Sequence, residues 1–212
     1  MTASIGTVFL VDDDPGVATA VARLLRAAEF EVRSFSSPQE FLREHDASIP
    51  GCAVLDVAMP GLNGIELHRT LADTGCERPI VFLTGHGDIP MSVQAMRAGA
   101  VDFLTKPVHE EKLLAAVRLA IEKDRADRLA RAALADIRER LAMLTPRENE
   151  ILRFVVAGRL NKQIAAYIGA AEKTVKVHRA RIMNKVGVRS VAELVRLTIV
   201  AGIAPAENGS DR

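Results

Sequence analysis

Five polar residues stand where short apolar runs end, and their types together suit phosphoryl chemistry. Asp12 and Asp13 follow Thr7–Val11, Asp56 closes 52–56, Thr84 closes 79–84 and Lys106 follows 101–105. The Cys52-Ala53-Val54-Leu55 run is continuously hydrophobic, as in a strand covered on both faces, and Pro60-Gly61 stops it. An acid at the carboxyl end of such a strand sits on the rim where open α/β sheets gather ligands. Several acids gathered there would repel one another unless a cation compensates, and Mg²⁺, a hard oxygen-seeking ion, suits that task. A carboxylate beside it can attack a phosphoryl group to give an acyl phosphate, with Lys106 supplying positive charge and the Thr84 hydroxyl a hydrogen bond.

The elements that must position these residues alternate regularly. After the first run, Pro15 opens a helix to about Ala28 with Val17, Val21, Leu24 and Leu25 on one stripe. Strands are expected at 31–35, 52–56, 79–84 and 101–105, and helices at 38–45, 63–74, 89–98 and from His109. Five such βα units imply a doubly wound, mostly parallel sheet. In the flavodoxin-like order 2-1-3-4-5 the first and third strands are neighbours, so Asp12, Asp13 and Asp56 converge. Asp14 reads differently, as the cap of the helix that Pro15 starts, and His86 reads as a solvent-exposed loop residue.

Over about 120 residues this half resembles the receiver domain of two-component response regulators. The matching residues are Asp12 and Asp13, Asp56 with Met59-Pro60-Gly61 and Asn63-Gly64, Thr84-Gly85, and Lys106-Pro107. The resemblance implies that Asp56 is the phosphoacceptor. It also implies that Asp13, Asp56 and the backbone carbonyl of Ala58 bind Mg²⁺, with Asp12 acting partly through water, and that the Lys106-Pro107 peptide is cis. A sensor histidine kinase would be the phosphoryl donor. Thr84 and Phe103 correspond to the family's switch, in which the hydroxyl moves toward the phosphoryl group and the ring follows. Phe103 as plain core is the alternative, and a phenyl ring needs no hydrogen-bond partner in either rotamer.

Residues 122–143 mix both charge signs densely without Gly or Pro, which predicts a helical linker. Leu134, Ile137, Leu141 and Leu144 form a short apolar stripe that suits either a partner helix or docking on the following domain.

From 144 onward the pattern is all-α. Thr145 as N-cap, Pro146 at the first helical position and Glu148 three after the cap specify a helix start. Gly158 breaks that helix, Asn161 is expected to cap a second, Gly169-Ala170-Ala171-Glu172 turns the chain, and helices follow at 173–186 and 190–200. This segment resembles the LuxR-type helix-turn-helix in Thr145-Pro146-Arg147-Glu148, Asn161-Lys162-Gln163-Ile164-Ala165 and Thr174-Val175-Lys176-Val177-His178. By that resemblance Lys176 and Val177 would face base edges of double-stranded DNA, with Thr174, Arg179 and Lys185 on phosphates or nearby bases. Ala180 departs from relatives that place a long polar residue there, so their sequence preference does not carry over. The last helix, with Val191, Leu194, Val195 and Val200, fits core packing or the face of a DNA-bound dimer. The expected domains are thus a receiver at 1–121, a linker at 122–143, a four-helix DNA-binding domain at 144–204 and a disordered tail at 205–212.

Charge agrees with this division. Basic against acidic residues number 10 to 16 over 1–121, 6 to 5 over 122–143 and 12 to 6 over 144–212, so an acidic front is joined to a basic tail suited to a polyanion. With Trp 0, Tyr 1 and Phe 7, the chain offers little aromatic surface for stacking single-stranded bases. Two cysteines, Cys52 and Cys76, are too few for a zinc site or disulfide framework. No apolar run reaches membrane-spanning length and Thr7–Val11 is too short for a signal sequence, so the cytoplasm is expected. The expected function is a phosphorylation-switched DNA-binding regulator that dimerises when phosphorylated and does not turn over outside substrates. Two rivals compete with it. An aspartate-nucleophile phosphatase needs a second Asp two residues after the nucleophile, where Ala58 stands, and a regulator controlled by dimer contacts or a ligand leaves the acidic pocket unexplained.

Overall fold

A computed structural model describes residues 5–85, 93 and 95–206. The first compact unit, Met1–Arg128, contains β1 (Thr7–Val11), α1 (Pro15–Ala27), β2 (Glu31–Phe35), α2 (Pro38–Glu44), β3 (Gly51–Asp56), α3 (Gly64–Asp73), β4 (Ile80–Thr84), β5 (Asp102–Thr105) and the start of α4 (Glu110–Ala142). The sheet is wholly parallel, in the order β2-β1-β3-β4-β5. Every residue of β1, β3 and β4 is buried, which is why these strands read as unbroken apolar runs.

Because side chains alternate across the pleat, each strand feeds two cores. Val8, Leu10, Val54, Val81 and Leu83 pack with Val21 and Leu25 of α1 and Leu113, Val117 and Ile121 of α4. Phe9, Val11, Leu55 and Phe82 pack with Phe41 of α2 and Leu67 and Leu71 of α3 on the other face. Full burial of each such side chain contributes about 1.5–3 kcal/mol, so both helical layers are held chiefly by these stripes. Cys52 lies in the first core, where burial pushes its thiol pKa up to about 12 and leaves it unreactive. Of the helix expected over 89–98, Val93 and Ala95, Met96 and Arg97 are helical; its remaining expected span falls mostly outside the described residues, as does His86.

The stretch 122–142 is helical, as expected for nearly all of 122–143, but it does not stand as an element of its own. α4 runs unbroken for 33 residues, and the division between compact units falls after Arg128. In the first unit, buried Asp124 accepts hydrogen bonds from the Gly51 amide (2.8 Å) and from Arg128 Nε (2.8 Å). Arg128 in turn donates to the carbonyls of Ala47, Ser48 and Ile49.

The second unit, Leu129–Arg212, comprises the remainder of α4 with α5 (Pro146–Val156), α6 (Asn161–Ile168), α7 (Glu172–Val186) and α8 (Val191–Val200). Ile137, Leu141 and Leu144 pack into its core with Ile151, Leu152, Ile164, Val175, Ile182, Val186 and Leu194, so the apolar stripe docks locally, with Leu134 half-buried at its start. The capping box of α5 forms as expected, Thr145 and Glu148 each accepting from the other's amide. Asn161 is not the cap of α6. Leu160 holds that position with its amide donating to Gln163, while the Asn161 side chain accepts from Arg179. The tail is ordered further than expected: Ile203 and Ala206 pack on the core and the Ala206 amide donates to the Arg153 carbonyl at 3.1 Å. Residues 207–212 lie outside the described residues. Among the described residues no helix is long and apolar enough to cross a membrane.

Candidate functional site

The carboxyl edge of the sheet brings the five expected residues together. β1 and β3 pair with Val11 opposite Leu55, so Asp12 and Asp56 emerge side by side. β4 and β5 pair with Thr84 opposite Thr105, which sets Thr84 next to the strand that leads into Lys106, and the Lys106 amide donates to the Thr84 carbonyl at 2.7 Å. Lys106 Nζ lies 2.7 Å from Asp12 Oδ2 and 3.0 Å from Asp56 Oδ2. Carboxylate oxygens of Asp12, Asp13 and Asp56 lie within 4.8 Å of one another. Asp12, Asp56 and Thr84 are buried, whereas Asp13 and Ala58 are exposed, so the cluster is open on one side.

The surrounding backbone fixes these groups. The Asp14 amide donates to Asp12 Oδ1 and the Ala58 amide to Asp56 Oδ1. Asp14 itself caps α1, accepting from the amides of Gly16 and Val17. Behind Asp56, Gly64 closes against the strand so tightly that a β-carbon there would stand 2.2 Å from the Asp56 carbonyl oxygen. Only glycine permits that approach, which accounts for the Asn63-Gly64 pair: Asn63 caps α3 through the Glu66 amide, and Gly64 lets α3 start against the acceptor strand. The Lys106-Pro107 peptide is cis.

Electrostatics favour a further cation. Burial raises the Asp12 pKa above the ordinary carboxylate value despite hydrogen bonds from Lys106 and the Asp14 amide. Burial also opposes charge on Lys106, but its hydrogen bonds to Asp12 and Asp56 outweigh this and raise its pKa. The donor set is all oxygen, with the exposed Asp13 carboxylate adding to the two buried ones, and it fits a hard divalent ion of the Mg²⁺ kind. Phe103 is half-buried, its ring centroid 6.4 Å from that of Phe82, and the β4–β5 register puts both rings on the sheet face that carries the Thr84 side chain.

In the second unit, α6, the turn through Gly169 and α7 form a helix-turn-helix. Gly169 ends α6 with φ of +64°, a left-handed conformation that favours glycine. Thr174, Lys176 and Val177 are exposed on α7. The other two expected DNA contacts are engaged within the unit. Arg179 Nη1 donates to Asn161 Oδ1 at 2.9 Å, and Lys185 Nζ donates to Glu148 Oε2 at 2.7 Å and to the Met143 carbonyl at 3.2 Å. Lys185, its side chain 35% exposed, thereby braces the start of α5. The same helical period points outward at Ala180, already marked in the sequence, and at Lys173 and Asn184, which the motif alone did not single out.

Two family profiles cover most of the chain: the response regulator receiver domain over residues 8–118, and the bacterial regulatory proteins of the luxR family over 142–198. Nodulation protein W of Bradyrhizobium diazoefficiens is 43% identical, the match covering 93% of this chain and 87% of that protein. Transcriptional regulatory protein FixJ of Azorhizobium caulinodans is 38% identical over 96% of both chains. Among solved structures, that of the response regulator StyR matches with a TM-score of 0.81 and 46% identity, over 91% of this chain and 98% of that one. Full-length FixJ from B. japonicum matches with a TM-score of 0.58 and 39% identity, over 95% and 99%.

Proposed function

The chain belongs to the two-component response regulators that join a receiver domain to a LuxR-type helix-turn-helix, and from that premise we propose that Asp56 is the residue through which phosphorylation controls its binding to DNA. The protein is a phosphorylation-dependent transcriptional regulator. The observation that carries the assignment to Asp56 is its buried carboxylate, grouped with those of Asp12 and Asp13 and set 3.0 Å from Lys106 Nζ.

A carboxylate oxygen of Asp56 forms the new O–P bond as the P–N bond of the kinase's phosphohistidine breaks, and the departing imidazole keeps the electron pair and takes up a proton. Lys106 holds positive charge where the transferred oxygens arrive, and the Thr84 hydroxyl is the hydrogen-bond donor toward them. Asp13, Asp56 and the Ala58 carbonyl, with Asp12 beside them, would hold Mg²⁺, which would offset the crowded negative charge. Phe103 follows Thr84 inward and repacks the neighbouring face, which promotes a homodimer. Thr174, Lys176 and Val177 on α7 then meet a duplex. Ala58, standing where a phosphatase of this chemistry needs its acid, favours a phosphoryl group retained as a signal over turnover of outside substrates. The cytoplasm, where kinase and DNA are both available, is the place for this cycle.

The test is phosphoryl incorporation from a histidine kinase or from phosphoramidate. Asp56→Asn is expected to keep the fold by circular dichroism and to lose stable incorporation; undiminished incorporation in that variant would refute the assignment.

A further inference from the structure

Arg179 and Lys185 are engaged by Asn161 and Glu148, and other residues lie outermost on α7. Successive residues of an α-helix are rotated by about 100°. Val175, Ile182 and Val186 mark the buried side. The side opposite carries Lys173, Val177, Ala180 and Asn184, all exposed. The middle of this stripe is apolar: Val177 is 43% exposed, and Ala180, three residues on, presents a single methyl group. Neither side chain can donate or accept a hydrogen bond.

The major groove offers an apolar pair of this kind one distinguishing feature, the C5-methyl group of thymine. Resting on the DNA-binding reading above, we propose that α7 recognises a half-site through two neighbouring thymine methyl groups, one against Val177 and one against Ala180. The spacing suits this. Side chains three residues apart on a helix stand about 5–6 Å from each other at the β-carbon, so two of them can each meet a methyl group on successive base pairs stacked about 3.4 Å apart. Lys176 flanks the pair and supplies polar contact at the groove wall. A long polar side chain in place of Ala180 would instead reach base acceptors, so Ala180 sets this chain's preference apart from that of a protein with lysine there.

The experiment uses the full chain, phosphorylated with phosphoramidate and Mg²⁺, to select duplexes from a random-sequence pool. Enriched half-sites are expected to hold two adjacent thymines. Replacing either by deoxyuridine removes only the methyl group and should weaken binding about fourfold, the effect of one buried carbon. The Val177→Ala variant should lose much of the sensitivity at one of the two positions, and Ala180→Lys should change the base selected at the other from thymine to guanine. Enriched sites without the thymines, deoxyuridine substitutions that leave affinity unchanged, or an Ala180→Lys variant that selects the same sequence would overturn the inference alone. A pool that yields no enriched duplex overturns the DNA-binding reading and this inference with it.

Discussion

Glu148→Gln tests how the DNA-binding unit is held together. Glu148 Oε2 accepts from the Thr145 amide at 2.9 Å and from Lys185 Nζ at 2.7 Å, and the side chain is almost fully buried. The hydrogen bonds from Lys185 and from the Thr145 amide together hold the carboxyl pKa down to about 2, against an ordinary 4.5. Glutamine keeps an acceptor for the Thr145 amide but loses the charge-assisted bond to Lys185, so the substitution should cost about 2 kcal/mol at pH 7. A depressed carboxylate pKa contributes stability that is fully present above the ordinary value and is lost as pH falls toward the folded one. The gap between wild type and variant should therefore hold down to about pH 4.5 and shrink as pH falls toward 2. The chain has one tyrosine and no tryptophan, and the Tyr167 ring packs at a tilt against Phe154 of the same unit, centroids 4.6 Å apart, so tyrosine fluorescence during urea unfolding reports on this unit selectively. A Lys185→Met partner completes a double-mutant cycle, with a coupling of about 1–2 kcal/mol expected at pH 7. Zero coupling, or a gap that is the same at pH 7 and pH 3, would show that the Glu148–Lys185 pair does not hold this unit together.

Three other predictions concern separate parts of the molecule. Gly64→Ala puts a β-carbon 2.2 Å from the Asp56 carbonyl oxygen; a loss of about 1–3 kcal/mol in thermal unfolding is expected, with slower phosphoryl uptake, and an unchanged melting temperature would contradict it. Arg128→Ala removes three bonds to loop carbonyls and the ion pair of buried Asp124, which should cost about 2–3 kcal/mol in chemical denaturation, whereas Arg125→Ala on the exposed side of α4 should cost under about 0.5. If Lys173, Lys176 and Arg181, all exposed on α7, neutralise about six phosphates across two protomers, the logarithm of DNA affinity should fall with the logarithm of salt at a slope of about −5, roughly a thousandfold between 50 and 200 mM; a slope near zero would contradict that count.

The strands and their polar ends were legible because burial on both faces demands uninterrupted apolar residues, and the first carboxylate or lysine after such a run marks the sheet's rim. That pattern alone places Asp12, Asp56, Thr84 and Lys106 on the rim. Cations were less legible. Lys185 and Arg179 belong to the same basic helix as Lys176, and nothing local shows that Glu148, 37 positions earlier, or Asn161, 18 earlier, will engage them. Asn161 followed capping preference, but the demand of Arg179 for an acceptor outweighed it and Gln163 took over the α6 start. Asp124 and Arg128 read as one more i, i+4 pair on a solvated helix, a pattern identical whether the carboxylate faces water or, as here, the Gly51 amide. The unbroken course of α4 was half legible: helix formers ran through 122–143, but no sequence signal told whether that helix began anew after 121.

Chemical trapping reports directly whether Asp56 carries the phosphoryl group. Borohydride reduces an aspartyl phosphate to homoserine, so the full chain, phosphorylated and then reduced, can be digested and mapped by mass spectrometry. Homoserine at position 56, dependent on the phosphodonor and absent when Mg²⁺ is chelated, is the expected result. Homoserine at Asp12 or Asp13 instead, or a phosphorylated chain with none at position 56, would rule out Asp56 as the phosphoacceptor.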